Sequence, residues 1–166
     1  MSPLFAEENA RYARLRYAAC LLSDIGWTEH PDYRAEHAFY RVLRLPYAGM
    51  THMDRAFLAM AVFVRYNGDP EASFAAPVLH LMEESDHRAA NAVGLALRLA
   101  HTISGSAPGL ISRTELKPSG GKLLLRLPTR DRSVFAGDAV ERRLKTLASV
   151  LGFEGSGFGK LPDRDD

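Results

Sequence analysis

Apolar residues recur at the helical period over the first two thirds of the chain, and the pattern then becomes extended. Over residues 8–25, Tyr12, Leu15, Ala19 and Leu22 line one face of a helix that Gly26 ends. After a connection over 27–31, Asp32 supplies an N-cap for a second helix. Its buried side is expected to carry Tyr33, His37, Tyr40 and Val42 or Leu43, and Pro46 and Gly49 stop it. A third helix opens at Thr51 or His52 and ends near Asn67-Gly68. Its run over 56–64 is apolar nearly all round, which predicts a central position. Asp69-Pro70-Glu71 reads as a turn or a fresh helix start, 77–84 as a short helix, and Ser85-Asp86 as the cap of a longer one from about 87 to 104.

Gly105, Pro108 and Gly109 mark a boundary. Beyond it, residues 110–117, the turn Pro118-Ser119-Gly120-Gly121 and residues 122–127 form a hairpin pattern, which is the only strand signal in the chain. Gly137-Asp138 starts a last helix to Leu151, with Val140, Leu144, Leu147 and Val150 or Leu151 on its apolar face. Gly155-Ser156-Gly157-Phe158-Gly159 and the charged residues after it are too rich in glycine and charge to hold one conformation alone, so the end is expected to fray. No repeat of solenoid length occurs. The expected fold is mostly α: a helical domain over 1–105, a small β-hairpin plus helix unit over 106–152, and a flexible tail over 153–166.

Composition narrows the class. The 166 residues are 46% hydrophobic and 25% charged, ordinary usage for one globular domain with a small appendage. No apolar run approaches the roughly 18 to 20 residues that span a bilayer, and residues 1–8 lack the basic and apolar regions of a signal peptide, so a cytoplasmic location with no membrane contact is expected. The single cysteine, Cys20, can form neither an internal disulfide nor a cysteine-based zinc site and reads as a small buried thiol. The formal charge of +1 hides two blocks. Residues 69–87 hold five acids and no lysine or arginine, whereas residues 111–147 hold nine bases against four acids. That second block attracts a polyanion if folding gathers its bases on one face; mixed surface charge gives the same count.

Ordinary enzyme motifs are missing: there is no Walker loop, no G-x-G-x-x-G after a strand, no H-E-x-x-H and no G-x-S-x-G. Aspartate and histidine from different helices can bind a divalent metal and activate water, but spacing gives the six histidines no support. His30 precedes Pro31, His52 is near a helix start, and His80, His87 and His101 contain no i,i+4 pair. Ser23-Asp24 is more informative, because an acid at the C-terminal end of a helix opposes the macrodipole. Either the two side chains bond nearby amides and shape the turn into Trp27, or they serve a site.

The string Ala18-Ala19-Cys20-Leu21-Leu22-Ser23-Asp24-Ile25-Gly26-Trp27, followed by His30-Pro31-Asp32-Tyr33-Arg34, Gly49 to His52, Arg55-Ala56-Phe57-Leu58-Ala59 and Arg65-Tyr66, carries a resemblance. It resembles the C-terminal region of the exopolyphosphatase and guanosine pentaphosphate phosphatase family, and in particular its alphaproteobacterial branch. Ala96-Leu97-Arg98-Leu99-Ala100, the hairpin and Gly137-Asp138-Ala139-Val140-Glu141 extend the likeness over roughly Arg16 to Leu151.

The resemblance implies an HD-like helical bundle, related to metal-dependent phosphohydrolases in which a His-Asp pair binds metal. Here the pair reads Ser23-Asp24, His101 stands where those enzymes place an aspartate, and Asn67 stands where a histidine often follows Arg-Tyr. Asp24 and His37 are what remain, fewer than the three or more protein donors that a catalytic metal normally requires. No catalytic residue, metal or cofactor is therefore expected. The family's hydrolytic site lies in an actin-like pair of domains whose acidic and glycine-rich elements do not occur in these residues. The C-terminal region is thought to help form the dimer and to line a basic channel for polyphosphate.

What the resemblance implies is thus a noncatalytic module that binds polyphosphate, or guanosine penta- or tetraphosphate, and/or forms a homodimer. Arg34, Arg55 and Arg65 are the first candidates for gripping phosphate, and Lys117, Lys122 and Arg126 the second. The alternative is a divergent HD phosphohydrolase that uses Asp24, His37 and another histidine with manganese or magnesium. A further rival is an interaction domain whose third helix and Tyr47 region form a homodimer face. No base-reading motif is present and aromatics do not interleave with the basic hairpin, so no specific nucleic acid is expected.

Overall fold

The computed structural model describes residues 10–105, 109–128 and 132–161, and the fold is mostly helical. The described helices are α1 (Ala10–Leu22), α2 (Arg34–Leu43), α3 (His52–Arg65), the short α4 (Ala76–Leu79), α5 (Glu84–Ser104), the short α6 (Arg132–Phe135) and α7 (Asp138–Val150). The strands are β1 (Glu115–Ser119), β2 (Lys122–Pro128) and β3 (Gly155–Leu161). Two compact units divide the chain, the first ending at Arg98 and the second taking up from Leu99, inside α5 and ahead of the boundary expected at residue 105.

In the first unit α3 is central, as its nearly uniform apolar run predicts: Ala56 through Arg65 are all buried. Thr51 starts it with a reciprocal cap, accepting from the Asp54 N–H at 3.1 Å while its own N–H donates to Asp54 Oδ2 at 3.2 Å. The ring of Phe39 on α2 meets Phe63 of α3 edge-on, with centroids 5.7 Å apart, and Phe74 joins both at 5.4 and 5.3 Å. Tyr12 of α1 lies 6.0 Å from Phe57. α5 approaches so closely that a Cβ on Gly94 would stand 2.5 Å from the Ala61 carbonyl oxygen.

Several local expectations change. α1 stops at Leu22, and a series of turns over 23–28 replaces the helix expected to reach residue 25. Asp32 does not cap α2; Tyr33 holds that position, with no side-chain cap bond. Tyr33 and His37 are exposed, while Ala38, Phe39 and Val42 face the core. A helix has one buried stripe, and the larger apolar gain from Phe39 sets its phase. α5 begins at Glu84, which puts Asp86 in its first turn rather than at its cap. Cys20 is exposed on α1 instead of buried.

In the second unit the strands lie in the order β1-β2-β3, with β1 antiparallel and β3 parallel to β2. Gly120 and Gly121 both have positive φ, +54° and +74°, the requirement of a tight two-residue hairpin turn. Pro118 and Ser119 therefore belong to β1, where an edge strand tolerates proline. Leu123, Leu125 and Leu127 point inward and are buried, as are Val140, Leu144 and Leu147 of α7, which packs on the sheet.

The glycine-rich segment expected to fray is β3; residues 162–166 lie outside the described residues. Its glycines at 155, 157 and 159 stand opposite Lys122, Leu124 and Arg126, whose side chains lie across them. A Cβ on Gly159 would come within 2.9 Å of Arg126 Cγ, so the strand pairs because these positions are bare. Phe158 alternates to the other face, in register with Leu125.

Candidate anion-binding face and the Asp24 loop

The loop after α1 is held by three arginines. Arg65, at the end of α3 and only 7% exposed, donates from Nη2 to Asp24 Oδ1 at 2.8 Å. Arg34, at the start of α2, donates from Nε and Nη2 to the Glu29 carbonyl at 3.1 and 2.9 Å. Arg41 donates to the Ile25 carbonyl at 2.8 Å and pairs with the Glu29 carboxylate at 3.2 Å. The Tyr66 hydroxyl accepts the Gly26 N–H at 3.1 Å, and burial pushes the phenol's pKa up. The Arg65 and Arg34 guanidiniums lie 4.2 and 5.9 Å from the centroid of the same Tyr66 ring.

This explains the unfavourable placement of Asp24. The acid that the α1 dipole disfavours is the counter-charge of a buried arginine arriving from α3.

His37 takes a different carboxylate. Its Nδ1 lies 3.0 Å from Glu29 Oε2, and its ring stacks on Tyr33 with centroids 6.0 Å apart. That hydrogen bond holds the Glu29 carboxyl below its usual range. Asn67 follows α3 in the left-handed region, φ +72°, and asparagine tolerates that turn better than most residues. Arg55, in the first turn of α3, directs Nη2 to His52 Nδ1 at 3.1 Å. His101 belongs to the second unit, near the end of α5.

A second polar cluster was not expected from the sequence. Arg11 of α1 bridges Asp54 of α3 at 3.0 Å and Asp86 of α5 at 2.7 Å, both carboxylates being 2% exposed. Tyr12 adds a donor to Asp86 at 2.8 Å, and Arg14 reaches Asp54 at 3.2 Å. Burial pushes the Asp54 carboxyl up, but Arg11 and the bonds to Thr51 outweigh it and hold it below its ordinary value. The cluster locks α1, α3 and α5 together. Its one sequence signal is Thr51-x-x-Asp54 ahead of an apolar run.

The outer face of the sheet gathers the other basic candidates. Strand register puts Glu115, Lys117 and Ser119 of β1 beside Arg126, Leu124 and Lys122 of β2, and the bare glycines of β3 next to those. Lys117 and Lys122 are exposed. Arg126 is engaged: Nη1 bonds Glu115 Oε2 at 2.7 Å and Nε bonds the Lys160 carbonyl at 3.0 Å. The result is a basic face, with one arginine braced across three strands and two exposed lysines next to Leu124, Lys117 opposite it on β1 and Lys122 two residues before it on β2.

Comparison with protein families matches residues 3–156 to the exopolyphosphatase C-terminal domain. The chain belongs to that family. Comparison with curated proteins gives no match.

Within this exopolyphosphatase C-terminal domain, the residues expected from the resemblance at the positions of a His-Asp metal pair have separate partners. Asp24 is bound by Arg65, His37 by Glu29, and Ser23 and Asn67 lie in backbone turns that follow α1 and α3. Among the described residues no three His, Cys, Asp or Glu side chains come together as metal ligands do. No described helix is long and apolar enough to cross a membrane. Of the basic candidates, Arg34, Arg65 and Arg126 make intramolecular bonds, and Lys117 and Lys122 share an exposed sheet face.

Proposed function

We propose that this chain is a noncatalytic module of an exopolyphosphatase, of alphaproteobacterial type and cytoplasmic, that holds polyphosphate and takes part in a homodimer. The helical unit is an eroded HD-like bundle whose metal-binding positions have become loop and cap residues. Hydrolysis belongs to a separate actin-like domain. The observation that supports this best is the outer face of the sheet, where Lys117, Lys122 and Arg126 stand on one side beside a strand of glycines.

Polyphosphate carries about one charge per phosphate and no bases to read, so lysine and arginine contacts supply most of its affinity. Arg126, fixed by Glu115 and the Lys160 carbonyl, keeps one positive charge in place without losing rotamer freedom on binding. The two lysines follow the mobile polymer as point charges. Guanosine penta- or tetraphosphate offers the same oxygens on a shorter ligand.

Titration of the purified chain with polyphosphate at low and high salt tests this reading. Binding that weakens steeply with salt, and weakens further in the Lys117→Ala/Lys122→Ala double variant, supports it. Binding that ignores both the salt and the two lysines refutes it. Guanosine tetraphosphate as competitor separates the two ligands.

A further inference from the structure

An open sheet edge invites another strand unless something blunts it. β1, one edge of this sheet, carries Pro118 in its ladder. β3, the other edge, has no proline, and among the described residues no strand lies along its second side. Its sequence, Gly155-Ser156-Gly157-Phe158-Gly159-Lys160-Leu161, leaves little side-chain bulk to keep a neighbouring backbone away. Seven residues is ample length for a ladder.

The charges at its ends indicate which strand fits. Glu154 precedes β3 and Lys160 lies near its end, and both are exposed. If two copies meet about a two-fold axis with Gly157 opposite Gly157, Glu154 of each copy falls opposite Lys160 of the other. Ser156 then faces Phe158, Gly155 faces Gly159, and Phe153 faces Leu161. Residues 154, 156, 158 and 160 share one face by strand alternation, so every pair falls on a common side. A parallel arrangement would oppose like charges, Lys160 to Lys160, and is disfavoured by the same rule.

We propose that β3 pairs antiparallel with β3 of a second copy, centred on Gly157, to make one continuous six-stranded sheet closed by two Glu154–Lys160 ion pairs. This rests on the homodimer reading above and names its surface. The interface is isologous, which satisfies both β3 edges within a closed dimer.

Analytical ultracentrifugation of the full chain across a concentration series tests the proposal, with circular dichroism to confirm that each variant folds. Glu154→Lys and Lys160→Glu each oppose like charges twice per dimer and should weaken dimerisation roughly tenfold. The double swap, Glu154→Lys with Lys160→Glu, should restore it, and an equimolar mixture of the two single variants should form heterodimers. A dimer indifferent to all of these changes would overturn the β3 interface while leaving the homodimer standing. A strict monomer would overturn both.

Discussion

Arg11 touches two carboxylates that are almost fully buried, so its removal leaves uncompensated charge inside the helical unit. Arg11→Met should cost roughly 3 kcal/mol in a denaturant melt, the scale for breaking a buried pair. The Asp54 carboxyl is held below its ordinary value of 3.8, so its contribution is complete above that pH and is lost as acid drives the pH down through the folded value. Acid unfolding followed by circular dichroism should show a steeper loss below about pH 4 in the native chain than in Asp54→Asn. At Asp24 the effect is smaller, because the acid is exposed and water replaces part of what Arg65 loses. Asp24→Ala should cost about 1 kcal/mol and leave polyphosphate binding unchanged. Manganese-dependent phosphate release that disappears in this variant would contradict the structural role assigned to Asp24.

The same residues show what a one-dimensional reading captures. Asp24 stands out in the sequence because it opposes a helix dipole, but its partner Arg65 is forty-one positions away and belonged, on sequence grounds, to a different list of candidates. Arg11, Asp54 and Asp86 come from three helices, and no local pattern announces a charge network of that span.

Among the elements, α3 was the most legible. Its apolar residues occupy every side, and a helix with that pattern has only the interior to go to. α7 was equally plain, since Val140, Leu144 and Leu147 keep one face at the helical period. β3 was illegible for a physical reason. A glycine-rich strand has neither the alternation nor the branched side chains that signal β structure, and it pairs because Lys122, Leu124 and Arg126 lie across its bare positions. α5 carries a comparable hidden constraint. Gly94→Ala would place a methyl 2.5 Å from the Ala61 carbonyl oxygen, so α5 and α3 must part. A loss of about 2 kcal/mol is expected in thermal or denaturant unfolding. An unchanged midpoint would contradict this close approach of α5 to α3.

For the molecule as a whole, a formal charge of +1 conceals a division of labour. Several arginines of the helical unit bond to loop carbonyls and carboxylates, whereas the sheet presents Lys117 and Lys122 to solvent around a braced Arg126. The basic segment is visible in the sequence, and the strand register puts three of its bases, Lys117, Lys122 and Arg126, on one face. The most direct test is polyphosphate binding by the native chain and by Lys117→Ala/Lys122→Ala at two salt concentrations, with free phosphate assayed in the same samples with and without manganese. Salt-sensitive binding that drops about tenfold or more in the variant is expected, with no phosphate release. Phosphate release by the native chain, or binding that survives loss of both lysines at full strength, would contradict it.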